Sequence, residues 1–357
     1  MSGGVDSAVA AGLLVRQGYE VIGITMRLWT VEQPDLPVHH RRCCSVEDTD
    51  DARSAAQALD IPHYVLNLER DFQEHVVDYF CREYQRGRTP NPCLACNEHV
   101  KFKSLLDRAL ALDADYLATG HYARIRRADG EYRLLRAVDS EKDQSYVLFT
   151  LGQRELSRLL LPVGEHRKQE VRRLAAEMGL PLADKPDSAD ICFVPGNDYR
   201  SLLAERFPQA EGHILDGEGR PIGRHQGVAG FTVGQRRGLG VSLGEKRFVT
   251  GIDPARNVIT IGSEDDLMSD SLWAEDVTWV SGRPPEPETP VEAKIRYRSP
   301  ASRATVYTNG AGAEVQFERP QRAITPGQAV VFYQGEHVLG GGIIASSARN
   351  GHRPGEG

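Results

Sequence analysis

The chain opens with a glycine-containing segment that runs directly into an apolar helical pattern. This segment constrains the fold more than any other part of the sequence. It reads MSGGVDSAVAAGLL, with small residues and two glycines at positions 2–7 and helix-forming residues up to Leu14. Glycine lets a backbone turn closely around a ligand, and the first amides of a helix point outward with the positive end of the helix dipole behind them. The segment is therefore typical of a backbone cradle for an anion, most often a phosphate group.

A simpler interpretation stays open for the same residues. Asp6 or Ser7 could cap a helix that follows a flexible start, as in many proteins. The segment is not a Walker A loop, because no Gly-Lys-Ser/Thr follows the glycines.

Length and composition indicate a globular protein with more than one domain. The 357 residues exceed what a single hydrophobic core organises, so two or three domains are expected. No apolar run approaches the roughly 20 residues of a membrane span, and no signal peptide is visible. We therefore expect a cytoplasmic protein without a membrane anchor.

Charge alone does not indicate a nucleic-acid binder, since the formal net charge is −7. Local patches decide such binding, however. Basic clusters occur at Arg124, Arg126 and Arg127; at Arg167, Lys168, Arg172 and Arg173; at Arg236 and Arg237; and at Lys294, Arg296 and Arg298. Taken one at a time, each cluster is expected to be a solvated surface rather than a binding site.

The first 120 residues alternate between helical and strand patterns. The predicted helices cover 7–17, 48–59, 71–84 and 102–112, and the predicted strands cover 20–26, 63–68 and 116–119. Such alternation is typical of an α/β fold with a parallel sheet covered on both faces. Ligands bind beyond the carboxyl ends of such strands, where Met26, Gly120 and His121 fall.

After residue 122 the pattern changes. YARIRRADGEYRLLRA predicts a hairpin with Asp129-Gly130 at its turn, and basic amphipathic helices are predicted at 154–161 and 168–178. Beyond Pro290 the chain reads as strands only, which is typical of a small antiparallel barrel or sandwich.

These patterns predict three domains and a tail, and no internal repeat is evident. The proline-rich stretch SGRPPEPETP does not by itself mark a domain boundary. The predicted organisation is an α/β domain with a parallel sheet over 1–195, a small central domain over 196–265, a C-terminal antiparallel β-barrel over 266–345 and a disordered tail over 346–357.

Two of the six cysteines form a CxxC motif. Because no secretion signal is visible, reactive thiols or a metal are better interpretations than a disulfide scaffold. Cys93 and Cys96 lie in RTPNPCLACNEHVKF, whose prolines and asparagines predict a loop rather than a helix interior. The motif is compatible with a redox pair, half of a zinc site, part of an iron–sulfur site, or two inert thiols.

The other cysteines have different surroundings. Cys192 lies in KPDSADICFVPG, a predicted loop that leads into a short strand, where a buried structural cysteine is the alternative to a reactive one. Cys81 lies on a predicted helix with an apolar face and is expected in the core. Cys43 and Cys44 follow a charged stretch and are expected to be incidental.

SGGVDS also resembles the SGGxDS signature of the PP-loop ATP pyrophosphatases, which cut ATP between the α and β phosphates. In that family the loop follows a buried strand. Only Met1 precedes it here, so we expect a start upstream of Met1 or a missing first strand.

Such a loop combined with loop thiols favours sulfur chemistry. Adenylation turns a carbonyl oxygen into a leaving group, and a cysteine persulfide supplies a sulfur nucleophile. A second thiol then accepts the inner sulfur by thiol–disulfide exchange.

Eight motifs in one order make a more specific resemblance. They are SGGVDS, RTPNPCLACNEHVKF, ATGHYAR, KDQSYVLF, KPDSADICFVPG, FTVGQRRGLG, KIRYRS and GQAVVFYQGEHVLGGGII. Over nearly its whole length the chain resembles the bacterial tRNA-specific 2-thiouridylases. The resemblance implies an enzyme that uses ATP with Mg²⁺ to thiolate C2 of the wobble uridine in tRNAs for Lys, Glu and Gln, releasing AMP and diphosphate.

The resemblance also implies site residues. Those for ATP are Ser2, Gly3, Gly4, Val5, Asp6, Ser7, Met26 and Gly120. Cys96 resembles the family's catalytic nucleophile, and Cys192 resembles the cysteine that carries the persulfide. Asn91, Pro92 and Cys93 match the segment that faces the flipped uridine, and flipping brings the C2 edge to ATP and thiol together. Positions that match tRNA contacts are His121, Lys142, Asp143, Gln144, Arg296, Tyr297 and Gln328.

The implied partners are the tRNA anticodon arm, gripped by the C-terminal barrel, and a sulfur-carrier protein or cysteine desulfurase as the donor. We expect a monomer.

This chain departs from the family pattern at one position that bears on the mechanism, because the family often has an aspartate where this chain has Cys93. Cys93, Cys96 and Cys192 together could hold a [4Fe–4S] cluster, whose bound sulfide would replace the persulfide route.

Three alternative functions from other classes of protein remain open at this point. A PP-loop synthetase would adenylate a small molecule and add nitrogen, but it needs neither paired thiols nor an RNA-binding barrel. A non-catalytic RNA- or metal-binding protein would not need the SGGVDS loop. A thioredoxin-like redox protein would have its CxxC at the start of a helix within a βα unit, which the predicted loop does not provide.

Overall fold

The computed structural model describes residues 1–29, 46–183, 185–186, 191–194, 198–208, 210–241, 244–308, 310 and 312–348. Cys43 and Cys44 lie outside these ranges, as do residues 349–357 of the predicted tail. The predicted tail starts too early, because the last strand continues to Ala348.

The helices of the described ranges lie mainly in the N-terminal half of the chain. They are α1 Val5–Arg16, α2 Val46–Ala58, α3 Glu69–Phe72, α4 Asp78–Gln85, α5 Pro92–Ala95, α6 Leu106–Ala111, α7 Gln153–Leu156, α8 Lys168–Glu177 and α9 Tyr199–Arg206, with π-helical segments π1 Gln73–Val77 and π2 Cys96–Leu105 joining their neighbours. None of these helices is long and apolar enough to cross a lipid bilayer.

The strands increase in number toward the C-terminus. They are β1 Gly23–Arg27, β2 His63–Asn67, β3 Leu117–Ala118, β4 Ala123–Ala128, β5 Glu131–Arg136, β6 Leu159–Leu160, β7 Gly212–Leu215, β8 Pro221–His225, β9 Phe248–Asp253, β10 Val258–Gly262, β11 Met268–Trp279, β12 Glu288–Lys294, β13 Ser302–Thr308, β14 Ala313–Arg322, β15 Ala329–Gln334 and β16 His337–Ala348.

The predicted parallel pairing of the N-terminal half is confirmed. Strand β1 pairs in parallel with β2, and β3 pairs in parallel with β6, as two separate two-stranded sheets. The expectation that both faces are covered is wrong for β2, where Tyr64 and Val65 are exposed. The carboxyl ends of β1 and β3 lead to Met26 and Gly120, as the alternating pattern predicts.

One of the two predicted basic helices is partly a strand. Residues 154–161 contain the short helix α7 and then β6, which pairs with β3. The leucines at 156, 159 and 161 are all buried and fit either a helical or an extended pattern. The pairing partner β3, about forty residues earlier, therefore decides the conformation.

The C-terminal strands form a closed barrel. The order β11-β14-β13-β12-β15-β16 is closed by a pairing between β11 and β16. Strand β12 alternates exposed and buried residues, as expected for a barrel wall with one face inward, whereas the first five residues of β15 are all buried. The sequence predicted the barrel from its later strands and missed β11, the strand that closes it.

The predicted hairpin is confirmed, and its location explains why β15 is buried on both faces. Strands β4 and β5 pair around the turn at Asp129 and Gly130, both of which have positive φ. Strand β5 pairs with β16 and so extends the barrel sheet. Ala329, Val331 and Tyr333 of β15 then belong to the same core as the N-terminal helices.

Between these parts lies a four-stranded sheet in the order β8-β7-β10-β9. Its small core contains Ile214, Val249 and Ile259, all fully buried. The helix α9 joins this region to the N-terminal half, because Tyr199 stacks on Tyr84 with ring centroids 4.9 Å apart.

Candidate functional site

The first candidate element is the loop before α1. Gly4 is the N-cap residue of α1 and has no side chain to cap the helix amides, so the first amides of the helix have no side-chain acceptor from the cap. The Ser7 hydroxyl donates to the Gly4 carbonyl at 3.0 Å and accepts from the Ser2 amide at 3.1 Å. These bonds hold the loop in a tight turn whose helix end favours an anion.

Two glycines let this loop pack closely. Gly3 has φ +69°, and a Cβ there would lie 2.3 Å from the Asp48 carbonyl oxygen. A Cβ on Gly120, just beyond β3, would lie 2.6 Å from the Ser7 nitrogen and from the Asp6 carbonyl carbon. Gly120 therefore lies directly beside the loop, whereas Met26 lies half-buried at the end of β1.

A buried lysine faces the loop. The Lys168 ammonium donates to both carboxylate oxygens of Asp6, at 2.8 and 2.9 Å, and the Tyr122 hydroxyl donates to the same carboxylate at 2.7 Å. Lys168 is only 8% exposed. The expectation that the basic cluster around Lys168 is a solvated surface is therefore wrong for this residue, because its partner Asp6 is 162 positions away in the chain.

A second lysine contacts the loop from the other side. The Lys185 ammonium donates to the Gly3 carbonyl at 2.9 Å and to the carboxylates of Asp48 and Asp51 on α2. Burial by itself would lower the pKa of Lys185, but the hydrogen bonds to the two carboxylates outweigh it and raise this pKa. Sequence reasoning missed both lysines.

The CxxC motif begins a helix, so its predicted loop conformation is wrong. Asn91 is the N-cap of α5, and its side chain accepts from the amides of Cys93 and Leu94. Pro92 occupies the first turn, and α5, π2 and α6 then continue without a break over 92–111. An asparagine N-cap followed by proline is a helix-start signal that the sequence carried. Cys93 is exposed on the first turn and Cys96 is buried.

The Cys192 segment packs into the same core as Cys96. Phe193 is buried edge-on between Phe72 and Phe80, with ring centroids 5.7 and 5.3 Å away. Residues 191–194 form a turn rather than the predicted strand. Cys192 itself is partly buried, whereas Cys81 is fully buried in α4, as expected, and burial raises the pKa of the Cys81 thiol.

His121 and Gln144 lie close to the end of β3. His121 is 8% exposed, its Nδ1 lies 2.8 Å from the Thr119 hydroxyl, and burial followed by the charge of Lys101 holds its pKa well below the usual value. This imidazole is therefore neutral at physiological pH. The Gln144 side chain accepts from the Tyr122 amide at 2.9 Å, and Tyr122 in turn bonds to Asp6 of the loop before α1.

Asp143 is a buried residue of the KDQSYVLF segment. Its carboxylate accepts from the Ala137 amide at 3.0 Å and from the Ser145 hydroxyl at 2.8 Å. The neighbouring Lys142 is partly buried and keeps part of its side chain at the surface. Asp143 therefore orders this segment, and Lys142 is the residue of the pair that solvent reaches.

Tyr297, which follows barrel strand β12, lies near the helix over 92–111 that carries Cys93 and Cys96. We call this helix the thiol helix. Burial raises the pKa of Tyr297, as do the negative charges of Asp143 and Cys93. The Lys294 ammonium lies 5.8 Å from the Tyr297 ring, and burial lowers the pKa of this lysine while Asp143 opposes that effect. Tyr297, Asp143 and Cys93, which are far apart in sequence, thus share one electrostatic environment.

Arg296 and Gln328 line a cavity of about 290 Å³ between the barrel and the middle sheet. Arg296 donates to the Ala323 carbonyl and to the Thr325 hydroxyl. The Gln328 amide donates to the Thr89 carbonyl at 2.8 Å. Both predicted RNA-contacting side chains are therefore held by protein groups at the joint between domains.

A metal cluster would need its ligand side chains grouped in space. Within the described ranges, no three histidine, cysteine or carboxylate side chains form a group that could hold a metal ion. Cys93 is exposed while Cys96 is buried. As described, Cys93, Cys96 and Cys192 do not form such a group.

Three family profiles match successive parts of the chain. The profile described as a tRNA methyl transferase HUP domain matches residues 1–196, the tRNA methyl transferase PRC-barrel domain matches 200–263, and the aminomethyltransferase beta-barrel domain matches 269–344. The three regions correspond to the parallel-stranded half, the middle sheet and the closed barrel.

Whole-length relatives carry the name tRNA-specific 2-thiouridylase MnmA. The protein from Roseiflexus sp. (strain RS-1) is 52% identical, over 97% of this chain and 98% of the relative. The protein from Chloroflexus aurantiacus (strain J-10-fl) is 50% identical over 97% of both chains. The protein from Lachnoclostridium phytofermentans is 49% identical, over 96% of this chain and 98% of the relative. The chain belongs to the tRNA-specific 2-thiouridylase family.

Proposed function

We propose that this protein is a tRNA 2-thiouridylase that activates C2 of the wobble uridine with ATP and replaces the C2 oxygen by sulfur. The observation that carries the proposal is an amide-lined loop at α1 combined with a helix whose first turns carry Cys93 and Cys96. Both lie in one domain of a chain similar to 2-thiouridylases over nearly its whole length. The family profiles name a methyl transferase instead. The thiols favour sulfur as the transferred group.

The nucleotide loop supports the activation step. The loop Ser2–Ser7 would hold the phosphates of ATP, with Met26 and Gly120 against the adenosine. Magnesium would accompany ATP as part of the substrate, and the carboxylate at the loop, Asp6, is of the type that Mg²⁺ prefers. The C2 oxygen of the uridine attacks the α-phosphorus, diphosphate leaves, and the N3 proton of the base is lost.

Sulfur transfer then uses the two cysteines of the shared core. The terminal sulfur of a persulfide on Cys192 attacks C2, and AMP leaves with the electron pair of the C–O bond. The Cys96 thiolate attacks the inner sulfur, which forms a Cys96–Cys192 disulfide and releases 2-thiouridine once N3 regains a proton. A dithiol reductant and a new persulfide donor, such as a sulfur-carrier protein or cysteine desulfurase, are needed for the next turnover.

Several other residues would serve tRNA binding. Asn91, Pro92 and Cys93 would face the flipped base, and the positions for contact with the anticodon arm are His121, Lys142, Asp143, Gln144, Arg296, Tyr297 and Gln328. Asp143 would act by ordering its segment, since its carboxylate is buried and engaged. The proposed substrates are the tRNAs for Lys, Glu and Gln, acted on by a monomer in the cytoplasm.

The test is a thiolation assay on unmodified tRNA with ATP and a persulfide donor, after anaerobic purification and analysis of iron and labile sulfide. Cys96→Ser and Cys192→Ser are expected to abolish thiolation, and Cys93→Ser is expected to retain it. Cys81→Ala is the matched control, because Cys81 is a core thiol outside the site, and it should keep full activity.

Other results would favour a different function. Activity that follows iron content and requires all three site cysteines would replace the persulfide route by a cluster. Diphosphate release that depends on a free amino acid or nucleotide and not on tRNA would indicate a small-molecule synthetase.

A further inference from the structure

Lys185 is held at the nucleotide loop from two directions. Arg172 on α8 donates to the carbonyls of Ala183 and Lys185, at 2.8 and 3.1 Å, and so fixes the backbone on which Lys185 stands. The side chain then reaches the loop and the first turns of α2.

All three N–H donors of this ammonium are engaged. They meet the Gly3 carbonyl at 2.9 Å, Asp48 at 2.8 Å and Asp51 at 2.6 Å. An ammonium has three donors and no acceptor. While these bonds persist, Lys185 acts on the loop and not directly on a phosphate.

The bond to Gly3 sets the direction of an amide. In a planar trans peptide the C=O and the following N–H point in opposite directions. Because Lys185 holds the Gly3 carbonyl on its own side, the Gly4 N–H points away from Lys185. Gly4 is the N-cap of α1, so its N–H belongs to the set of amides available to an anion at this helix end.

The bonds to α2 set the charge around the loop. Asp48 lies against Gly3, since a Cβ on Gly3 would meet the Asp48 backbone at 2.3 Å. Two uncompensated carboxylates this close to the loop would repel a polyphosphate. Lys185 therefore both orients the Gly4 amide and offsets part of the charge of Asp48 and Asp51.

We infer that Lys185 is a positioning residue for nucleoside triphosphate binding, which it promotes by holding the Gly3 peptide and offsetting part of the negative charge of Asp48 and Asp51. The inference rests on the proposed use of ATP. It assigns Lys185 no contact with the base or sugar of the nucleotide, so its effect is confined to the phosphates.

The test compares the binding of ATP and of adenosine to the full chain by calorimetry. In Lys185→Met, the Kd for ATP is expected to rise about tenfold to a hundredfold, the range for loss of a hydrogen bond to a charged group, while the Kd for adenosine is unchanged. Lys185→Arg keeps the charge and is expected to restore most of the affinity for ATP. Lys246→Met, at an exposed position of the middle region, is the control and should bind both ligands as the wild type does.

A merely structural role would weaken ATP and adenosine alike, and that result overturns the inference. A folded Lys185→Met variant whose ratio of Kd for ATP to Kd for adenosine equals that of the wild type overturns the inference as well. If Lys185→Met does not fold, Lys185→Gln replaces it, with the same expected loss and the same criterion. Failure of the wild type to bind ATP would instead contradict the proposed function.

Discussion

At the scale of single residues, the absence of a side chain matters as much as its presence. Gly120 does not have a positive φ, so glycine is needed at this position only because there is no space for a Cβ. The backbone of Asp6 and Ser7 occupies the position that a Cβ would need. The contact joins the end of β3 to the start of α1 and thereby shapes the glycine-containing loop before α1.

Gly120→Ala is therefore expected to push β3 away from the loop. Overpacking against backbone costs about 1–3 kcal/mol of stability, and the displaced loop should raise the KM for ATP. Thermal unfolding and the ATP dependence of diphosphate release measure the two effects. Gly217→Ala is the matched control, because nothing lies within 4 Å of its added Cβ; equal behaviour of the two variants would contradict the prediction.

His121 gives a prediction about pH. Burial, aided by Lys101, holds its pKa well below 6.5, so the folded state keeps this imidazole neutral while the unfolded state protonates it below that pH. Stability should then be constant above about pH 7 and fall as the pH drops below 6.5, by about 1.4 kcal/mol per pH unit for this one group.

The measurement is the free energy of unfolding of wild type and His121→Gln between pH 5.5 and 8. The comparison is needed because burial also lowers the pKa of His63, His99 and His225. The variant should lose less stability on acidification than the wild type. Parallel curves for the two proteins would show that His121 does not contribute.

At the scale of elements, the helix over 92–111 presents the thiols. Its first turn depends on the Asn91 cap, and amides at a helix start in general favour a thiolate on the first turn. The π-helical part, Cys96–Leu105, starts at the buried cysteine. The cap thus links a local backbone feature to the reactivity of the site.

Asn91→Ala is expected to cost about 1 kcal/mol and to slow the alkylation of Cys93 by iodoacetamide, because the first turn frays. Asp198→Ala removes the N-cap of α9, whose side chain accepts from the Ser201 amide, and serves as the control. It should destabilise the protein to a similar degree and leave Cys93 alkylation unchanged. The prediction fails if both variants slow the alkylation equally.

At the scale of the whole molecule, Thr89 is the meeting point of three regions. Its amide donates to the Pro326 carbonyl, its carbonyl accepts from Gln328, and its hydroxyl donates to Thr232 of the middle region. Two residues later Asn91 caps the thiol helix. Barrel, middle sheet and thiol helix are therefore connected through one short segment.

Gly327→Ala should loosen this connection. Gly327 has φ +88°, and its Cβ would lie 2.8 Å from the Thr89 nitrogen. Faster hydrogen exchange of the Thr89 amide and a lower rate of tRNA thiolation are expected, with ATP binding retained. Gly335 has a similar φ of +60° with nothing within 4 Å of an added Cβ, so Gly335→Ala is the control. If Gly335→Ala speeds hydrogen exchange of the Thr89 amide as much as Gly327→Ala does, backbone strain and not the contact with Thr89 is the cause.

Sequence reasoning worked best where the signal is local. The turn at Asp129-Gly130, the alternation in β12 and the glycines before α1 follow from the preferences of neighbouring residues. The helix start at Asn91-Pro92 was also a local signal, but the surrounding prolines and asparagines favoured the loop interpretation. Strand β6 was missed because its partner β3 is distant in the chain.

The sequence by itself determined the glycine-containing helix start, the run of later antiparallel strands and the identity of the cysteines, because these depend on backbone preferences and residue types. Only the tertiary structure decided that Lys168 and Lys185 reach the loop, that β5 joins the barrel through β16, and that Tyr297 lies near Cys93. These contacts join residues more than 160 positions apart, and no local preference encodes which distant partner satisfies a buried charge. Packing of the whole chain makes that choice, because a buried ammonium is stable only beside the carboxylates that the fold brings to it.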